Sequence, residues 1–83
     1  MPRYRVIPVI DAAGLRVIRA IADHGSFTGA ATSLGYSQPA ISQMVRRLEN
    51  RLGTVLVERF GRQVRLTEAG QVLARHAVSV LAT

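Results

Sequence analysis

A turn of only three residues separates two predicted helices near the middle of this chain. Residues 28–34 predict a short helix with Thr28 as its N-cap, and the glycine that follows supplies the positive φ of a sharp turn. Ser37 is placed to cap the next helix, residues 38–52, and Pro39 lies in its first turn, where a missing N–H costs little. Two helices joined this closely predict a helix-turn-helix.

The segment before this pair predicts another helix. Apolar residues recur at helical spacing through residues 11–24, at Leu15, Ile18 and Ala22. Asp11 is placed as the N-cap of this helix, and Gly25 ends it. Residues 1–10 form an N-terminal arm with prolines that resist a helix interior. This arm is either a disordered basic tail or a strand that packs on the body.

The hydrophobic period changes after the third helix. Residues 55–57 and 64–66 are rich in β-forming residues, and residues 58–63 between them are typical of a hairpin tip with basic side chains. Thr67 and Glu68 suit the N-cap and first turn of a last helix that reaches the chain end.

The expected fold is therefore mainly α. It is a winged helix-turn-helix with three helices and a two-stranded β-wing, followed by a long C-terminal linker or dimerisation helix. Residues 1–10 are the arm, residues 11–66 the winged helix-turn-helix domain, and residues 67–83 the linker helix. At 83 residues the chain has room for one domain.

The charge of the chain indicates a polyanionic partner. It has 11 basic residues, all of them arginine, against 5 acidic residues, which gives a net charge of +6. So dense a positive field on a small body favours nucleic acid. Apolar runs are far shorter than a membrane helix or a signal peptide needs, so we expect a cytoplasmic protein associated with the nucleoid.

No catalytic constellation, cofactor or metal site is predicted. The absence of cysteine excludes a disulfide scaffold, a thiol nucleophile and a cysteine-based zinc site. The two histidines stand apart in the sequence. His24 suits the C-terminal end of a helix, and His76 falls on an apolar seam, where packing is the simplest role.

The third helix has one apolar face and one polar face. On a helical wheel the apolar arc contains Ile41, Met44, Val45, Leu48 and Leu52. The opposite face offers amide, hydroxyl and guanidinium groups, which pair with base edges in a major groove wide enough for a helix. Because the N-terminal residues of such a helix reach the bases, we predict base contacts at Gln38, Pro39, Ser42 and Gln43. Arginines further along are expected to meet phosphates, namely Arg46, Arg47 and Arg51.

The wing adds basic side chains beside this face. Arg62 at the tip is predicted to contact a minor groove or phosphates, whereas Arg65 is free to point to solvent. Each feature also has a simpler explanation, because polar helix faces are often only solvated and charge on an exposed hairpin prevents aggregation. The scarcity of acids on the helix face, the length of the turn and the basic wing together favour nucleic-acid binding.

The last helix predicts an interface. Its apolar arc is wider than one intramolecular contact needs. A spacing close to that of a coiled-coil seam places five residues together: Ala69, Val72, Leu73, His76 and Val80. We therefore expect self-association through residues 68–82. The alternative is that a larger body covers this helix.

Several short blocks between residues 15 and 73 stand in a characteristic order. They are Gly25-Ser26-Phe27-Thr28, Ala30-Ala31, Leu34, Ser37-Gln38-Pro39-Ala40-Ile41-Ser42, Leu48-Glu49, Leu52-Gly53, Leu56-Val57-Glu58-Arg59 and Arg65-Leu66-Thr67-Glu68-Ala69-Gly70. In this order and spacing the chain resembles the N-terminal DNA-binding domain of LysR-type transcriptional regulators. The resemblance covers roughly residues 11–82.

The resemblance implies a homodimer formed through the linker helix, with dimers often paired into tetramers on double-stranded promoter DNA. It maps the base-reading positions onto Gln38, Pro39, Ser42 and Gln43. It maps phosphate contacts near Thr28, Ser37, Arg46 and Arg62. In the family, a C-terminal domain senses a small-molecule effector, and we expect this chain to lack that domain because it ends in the linker helix.

Two positions depart from the family pattern. Gln43 stands where arginine is frequent, and glutamine pairs best with adenine whereas arginine pairs with guanine. Gly29 stands where a basic residue is frequent, so one phosphate contact is expected to be missing. The competing functions are an architectural DNA-binding protein of low sequence specificity and a protein-interaction module.

Overall fold

The structure is a computed structural model that describes residues 12–81, with side chains described through residue 76. Within this range the elements are, in order, α1 (Ala12–His24), α2 (Phe27–Leu34), α3 (Gln38–Leu52), β1 (Val57–Phe60), β2 (Gln63–Leu66) and α4 (Glu68–Leu81). The two strands pair antiparallel, which confirms the predicted winged helix-turn-helix. The predicted arm, residues 1–10, and the predicted N-cap Asp11 lie outside the described residues.

The turn between α2 and α3 has the predicted geometry. Gly35 has a φ of 76°, in the left-handed region that favours glycine, and the N–H of Tyr36 donates to the carbonyl oxygen of Ala31 at 2.9 Å. The Ser37 hydroxyl accepts the N–H of Ala40 at 3.2 Å, which confirms Ser37 as the N-cap of α3. Three residues therefore redirect the chain from α2 into α3.

The N-cap of α2 is Ser26, and the prediction of Thr28 as the cap was wrong. The Ser26 hydroxyl accepts the N–H of Gly29 at 2.9 Å, so the helix begins at Phe27. Serine and threonine are both good N-caps, and the sequence offers them two residues apart. The Phe27 side chain decides between them, because it is only 6% exposed and lies on the inner side of the first helical turn.

The wing has longer strands and a shorter tip than predicted. The turn consists of Gly61 and Arg62 alone, rather than residues 58–63. The polar side chains within residues 58–63 favoured a hairpin tip over strands. In the structure Glu58 pairs with Arg65 across the two strands, and both side chains are exposed. A solvated strand face accepts such residues because only the other face has to be apolar.

The inner face of the wing docks on the turn between α1 and α2. Val57, Val64 and Leu66 are buried on this face. The N–H of Val64 donates to the carbonyl oxygen of Gly25 at 2.9 Å. Val55 was predicted to be part of the wing, but it precedes β1 and is 58% exposed.

The core lies between the helices and the wing. Ile18, Ile41 and Leu56 have no exposed surface and come from α1, α3 and the segment before β1. The apolar arc predicted for α3 is confirmed, with three members buried and two packed at the margin: Ile41, Val45, Leu48, Met44 and Leu52. Ala22 is exposed although it shares the helical spacing of Leu15 and Ile18, because α1 packs against α2 and α4 through other residues that include Val17 and Ile21.

Glu49 closes the loop between α3 and β1. Its Oε2 atom accepts the N–H of Leu56 at 2.8 Å and the N–H of Val57 at 3.3 Å. These amides begin the wing, and a carboxylate is a strong acceptor for them. Glu49, the one acid within residues 38–52, is therefore directed at the backbone of the protein.

Helix α4 starts directly on the base of the wing. The Thr67 hydroxyl accepts the N–H of Gly70 at 3.1 Å, which confirms Thr67 as the N-cap, and donates to the carbonyl oxygen of Val55 at 2.7 Å. Gly70 lies against the backbone of Leu56, the residue that precedes β1. A Cβ at this position would collide with the Leu56 carbonyl oxygen and would lie 3.1 Å from the Cβ of Leu66.

Gly70→Ala is expected to destabilise the domain by about 1–3 kcal/mol, because overpacking forces α4 away from Leu56. The sign of this change in stability distinguishes overpacking from helix propensity, since alanine in a helix interior normally stabilises by about 1 kcal/mol relative to glycine. Urea unfolding followed by circular dichroism measures the change. Thr32→Ala on the exposed side of α2 is the control and should be neutral or slightly stabilising. A Gly70→Ala protein as stable as the parent would contradict the close packing.

Glu49→Ala is expected to cost about 1–3 kcal/mol of unfolding free energy, because two backbone N–H groups lose their acceptor. Glu49→Gln should cost less, since its amide oxygen still accepts a hydrogen bond. The matched control is Glu58→Ala, which removes an exposed carboxylate whose ion pair is worth under about 1 kcal/mol. Equal losses for Glu49→Ala and Glu58→Ala in thermal unfolding would refute the capping role.

Candidate nucleic-acid interface

The exposed face of α3 carries the residues predicted to contact bases. Gln38, Pro39 and Gln43 are exposed, and Ser42 is half-buried. The opposite face of the same helix is held in the core by its buried apolar residues. The first turns of α3 therefore project uncharged hydrogen-bonding groups from a fixed support, and their contact with bases stays a prediction.

Unpaired arginines lie on α3 and at the tip of the wing. Within residues 12–76, ion pairs join Arg19 to Asp23 at 3.3 Å and Arg65 to Glu58 at 3.9 Å. Of the arginines predicted to contact DNA, Arg46, Arg47 and Arg62 are exposed and have no carboxylate partner within the same residues. Their charge is available to an external anion, and guanidinium groups match phosphate oxygens well.

Two helix N-termini carry the other predicted phosphate contacts. Thr28 is exposed in the first turn of α2, and Ser37 is exposed as the cap of α3. In each helix one first-turn N–H is bonded to a serine cap. The N–H groups of Phe27 and Thr28 in α2 and of Gln38 in α3 have no partner within the helix, and Pro39 has no N–H. The positive end of a helix attracts phosphate groups.

The wing presents Arg62 at its tip. Arg62 occupies the two-residue turn and is exposed, as the prediction of a groove or phosphate contact requires. Arg65 is also exposed, but its guanidinium lies over the Phe60 ring at 4.1 Å from the centroid and is paired with Glu58. These contacts hold Arg65 on the outer face of the wing.

Arg59 is the residue that sequence analysis did not place at the site. Its Nη2 atom donates to the Ser42 hydroxyl at 3.4 Å, and its Cζ atom lies 4.8 Å from the centroid of the Phe27 ring. Strand alternation could have predicted the position of Arg59, because Arg59 follows Val57 by two residues and lies on the same face of the strand. A hairpin tip predicted at residues 58–63 concealed that alternation.

The residues predicted to form a dimer seam fall on two sides of α4. Ala69 and Leu73 are half-buried and pack against the core of the same chain. Val72 and His76 are exposed, and Val72 retains 46% of its surface. The side chain of Val80 lies outside the described part of α4. Self-association through this helix stays a prediction.

Within residues 12–81, no group of three or more potential metal-ligating side chains comes together. None of the helices in that part of the chain is long and apolar enough to cross a membrane. His24 lies in the last turn of α1, at the end of the helix that favours a cationic side chain.

Two curated relatives are regulators of transcription. The RuBisCO operon transcriptional regulator of Allochromatium vinosum is 48% identical over 66 residues, which are 80% of this chain and 22% of the relative. A probable hydrogen peroxide-inducible genes activator of Mycobacterium avium is 48% identical over 81 residues, which are 98% of this chain and 25% of the relative. This chain thus spans about a quarter or less of the length of these relatives.

A solved structure has the same fold. CbnR_DBD, crystallised as a DNA complex, superposes with a TM-score of 0.82 at 36% identity, over 88% of this chain and 84% of that one. The family described as bacterial regulatory helix-turn-helix protein, lysR family, matches residues 13–71, from the start of α1 into α4. By its sequence, its helix-turn-helix and its wing, this chain belongs to the LysR family of bacterial regulatory proteins.

Proposed function

We propose that this chain is the DNA-binding domain of a LysR-type transcriptional regulator and binds double-stranded promoter DNA sequence-specifically. Helix α3 enters the major groove, and the basic wing lies on the minor groove or the backbone. The observation that carries the proposal is the exposed face of α3, which presents uncharged hydrogen-bonding side chains beside unpaired arginines. Such groups suit base edges, whereas neutralisation of phosphates needs charge alone.

The contacts divide between bases and phosphates. Gln38, Pro39, Ser42 and Gln43 reach base edges from the first turns of α3. A second set meets the phosphate backbone: Thr28, Ser37, Arg46, Arg47 and Arg62. The similarity to CbnR_DBD, which was crystallised with DNA, supports this assignment.

The proposed role is regulatory and not enzymatic, and it requires no cofactor. The relatives named above are regulators of transcription, which supports this role. A protein that acts on promoter DNA in a bacterium works in the cytoplasm at the nucleoid, and we propose that location. A small-molecule effector would act through a C-terminal domain of a longer regulator, beyond the residues of this chain.

Competition with random DNA at about 150 mM salt tests the proposal. The chain is first used to select sites from a randomised duplex pool, and the selected duplex is then challenged with random duplex. A specific reader should discriminate by about 10³-fold or more. Binding to both duplexes with similar affinity would identify an architectural protein instead. No salt-dependent retention of DNA would indicate a protein-interaction module.

We propose that residues 11–66 form the DNA-binding unit and that residues 67–83 belong to a linker helix through which two copies pair. The exposed side of α4 supports this assignment, because Val72 lies outside the core of its own chain. Dimers of this kind read two half-sites about one helical turn apart or a multiple of it. Pairs of dimers would form in the full-length protein.

Gln43→Ala should relax base preference at one position in each half-site. The loss in discrimination is about 1–3 kcal/mol, because the amide pairs with one base edge. Selected-site sequencing measures it, and adenine is the base expected at that position. Asn50→Ala, an exposed change late in α3, is the control and should leave the selected site unchanged. An unaltered site for Gln43→Ala would show that this assignment is wrong.

Arg62→Ala should weaken binding to all sequences alike. Loss of one phosphate or groove contact lowers the slope of log affinity against log salt by about 1. Fluorescence anisotropy across a salt series measures the slope. Arg19→Ala is the control, because Arg19 is paired with Asp23 on α1, and the slope should then stay at the parental value. An unchanged slope for Arg62→Ala would remove the wing tip from the interface.

Val72→Glu should weaken self-association about tenfold or more, because a charge would be buried in the dimer seam without a partner. Sedimentation equilibrium measures the dissociation constant. Gln71→Glu adds the same charge at an exposed neighbouring position and should leave the constant near the parental value. If both variants associate like the parent, the seam does not include Val72.

A further inference from the structure

The wing is connected to the polar face of α3 through the Arg59 side chain. The Arg59 guanidinium donates to the Ser42 hydroxyl at 3.4 Å and lies over the Phe27 ring at 4.8 Å from the centroid. Phe27 is 6% exposed and is fixed in the first turn of α2. The ring is therefore a rigid support, and a cation above it is attracted by the π electrons.

The strand register explains why Arg59 points toward α3. Arg59 is paired with Val64, which is buried, and it follows buried Val57 on the same face of β1. Side chains two residues apart on a strand lie on one face. The aliphatic stem of Arg59 thus starts from the inner face of the wing, and its charged head emerges at the edge beside Ser42.

The bond from Arg59 changes what Ser42 offers to DNA. A serine hydroxyl has one hydrogen to donate and two lone pairs that accept. The guanidinium occupies one lone pair, and its positive charge disfavours a second donor at the oxygen while it strengthens donation by the O–H. A free serine pairs with donors or acceptors on base edges. Ser42 in this arrangement acts as a donor.

We propose that Arg59 is a positioning residue that makes Ser42 a hydrogen-bond donor and so sets the base preference at the position Ser42 contacts. The inference rests on the proposed function and adds which bases are preferred at the position that Ser42 contacts. Base edges that carry acceptors in the major groove, such as N7 and O6 of guanine or O4 of thymine, are favoured there. Cytosine, which presents its N4 amino donor, is disfavoured.

Selected-site sequencing with the full 83-residue chain tests the inference. Ser42→Ala first identifies the base position, as the one at which preference is lost. Arg59→Ala should then reduce the preference for guanine or thymine over cytosine at that position by roughly three- to tenfold, the range for one hydrogen bond. The position contacted by Gln43 should keep its preference. Addition of Arg59→Ala to Ser42→Ala should change no base preference further.

Two further variants complete the test. Arg65→Ala removes a wing arginine that stacks on Phe60, and it should leave the preference at the Ser42 position intact. Phe27→Leu keeps an apolar side chain in the core but removes the ring beneath the guanidinium, and it should produce a smaller loss at the same position as Arg59→Ala. Circular dichroism confirms that each variant is folded.

The outcomes separate the inference from the proposed function. If Arg59→Ala weakens all sequences equally, Arg59 is only a phosphate contact and the inference is wrong. If Ser42→Ala relaxes no position while the parent still selects a defined site, the inference fails and the proposed function stands. If the parent chain selects no sequence at all, the proposed function itself fails.

Discussion

Leu56 joins α3, the wing and α4. Its side chain has no exposed surface, its N–H donates to the Glu49 carboxylate at 2.8 Å, and its carbonyl oxygen accepts the N–H of Thr67 at 2.9 Å. Gly70 packs against the same carbonyl because it has no Cβ. Both backbone polar groups of Leu56 are thus satisfied by different elements, which buried backbone requires. A surface that extends from α3 to the wing depends on this junction for its shape.

Helix α3 divides its residues between stability and recognition. The buried side, with Ile41 and Val45, belongs to the core, and the exposed side is left for an external partner. A helix held in this way presents its polar groups without further ordering, which lowers the entropy cost of binding. Arg59 also fixes a residue on the exposed side of α3, because it links Ser42 to the wing and to the buried Phe27 ring.

The helix-turn-helix was predictable because its signals are local. Gly35 and Ser37 mark the end of α2 and the start of α3, and the apolar arc of α3 follows from its periodicity. The predicted N-cap of α2 was wrong because Ser26 and Thr28 are both suitable for that position. The prediction was also wrong in the wing, where polar residues on an exposed strand face were taken for a hairpin tip. Alternation can be recognised only once the buried face is known.

The sequence by itself determined the turn between α2 and α3, the two faces of α3 and the excess of positive charge. The turn and the two faces depend on backbone preferences and on side-chain period within a few residues, and the charge depends on composition alone. Only the tertiary structure decided that Glu49 caps the wing, that Gly70 has to lack a Cβ and that Arg59 bonds to Ser42. Each of these involves residues brought together by packing, up to 17 positions apart. No local rule specifies such a pair, because the approach of two elements is set by the shape of the whole core.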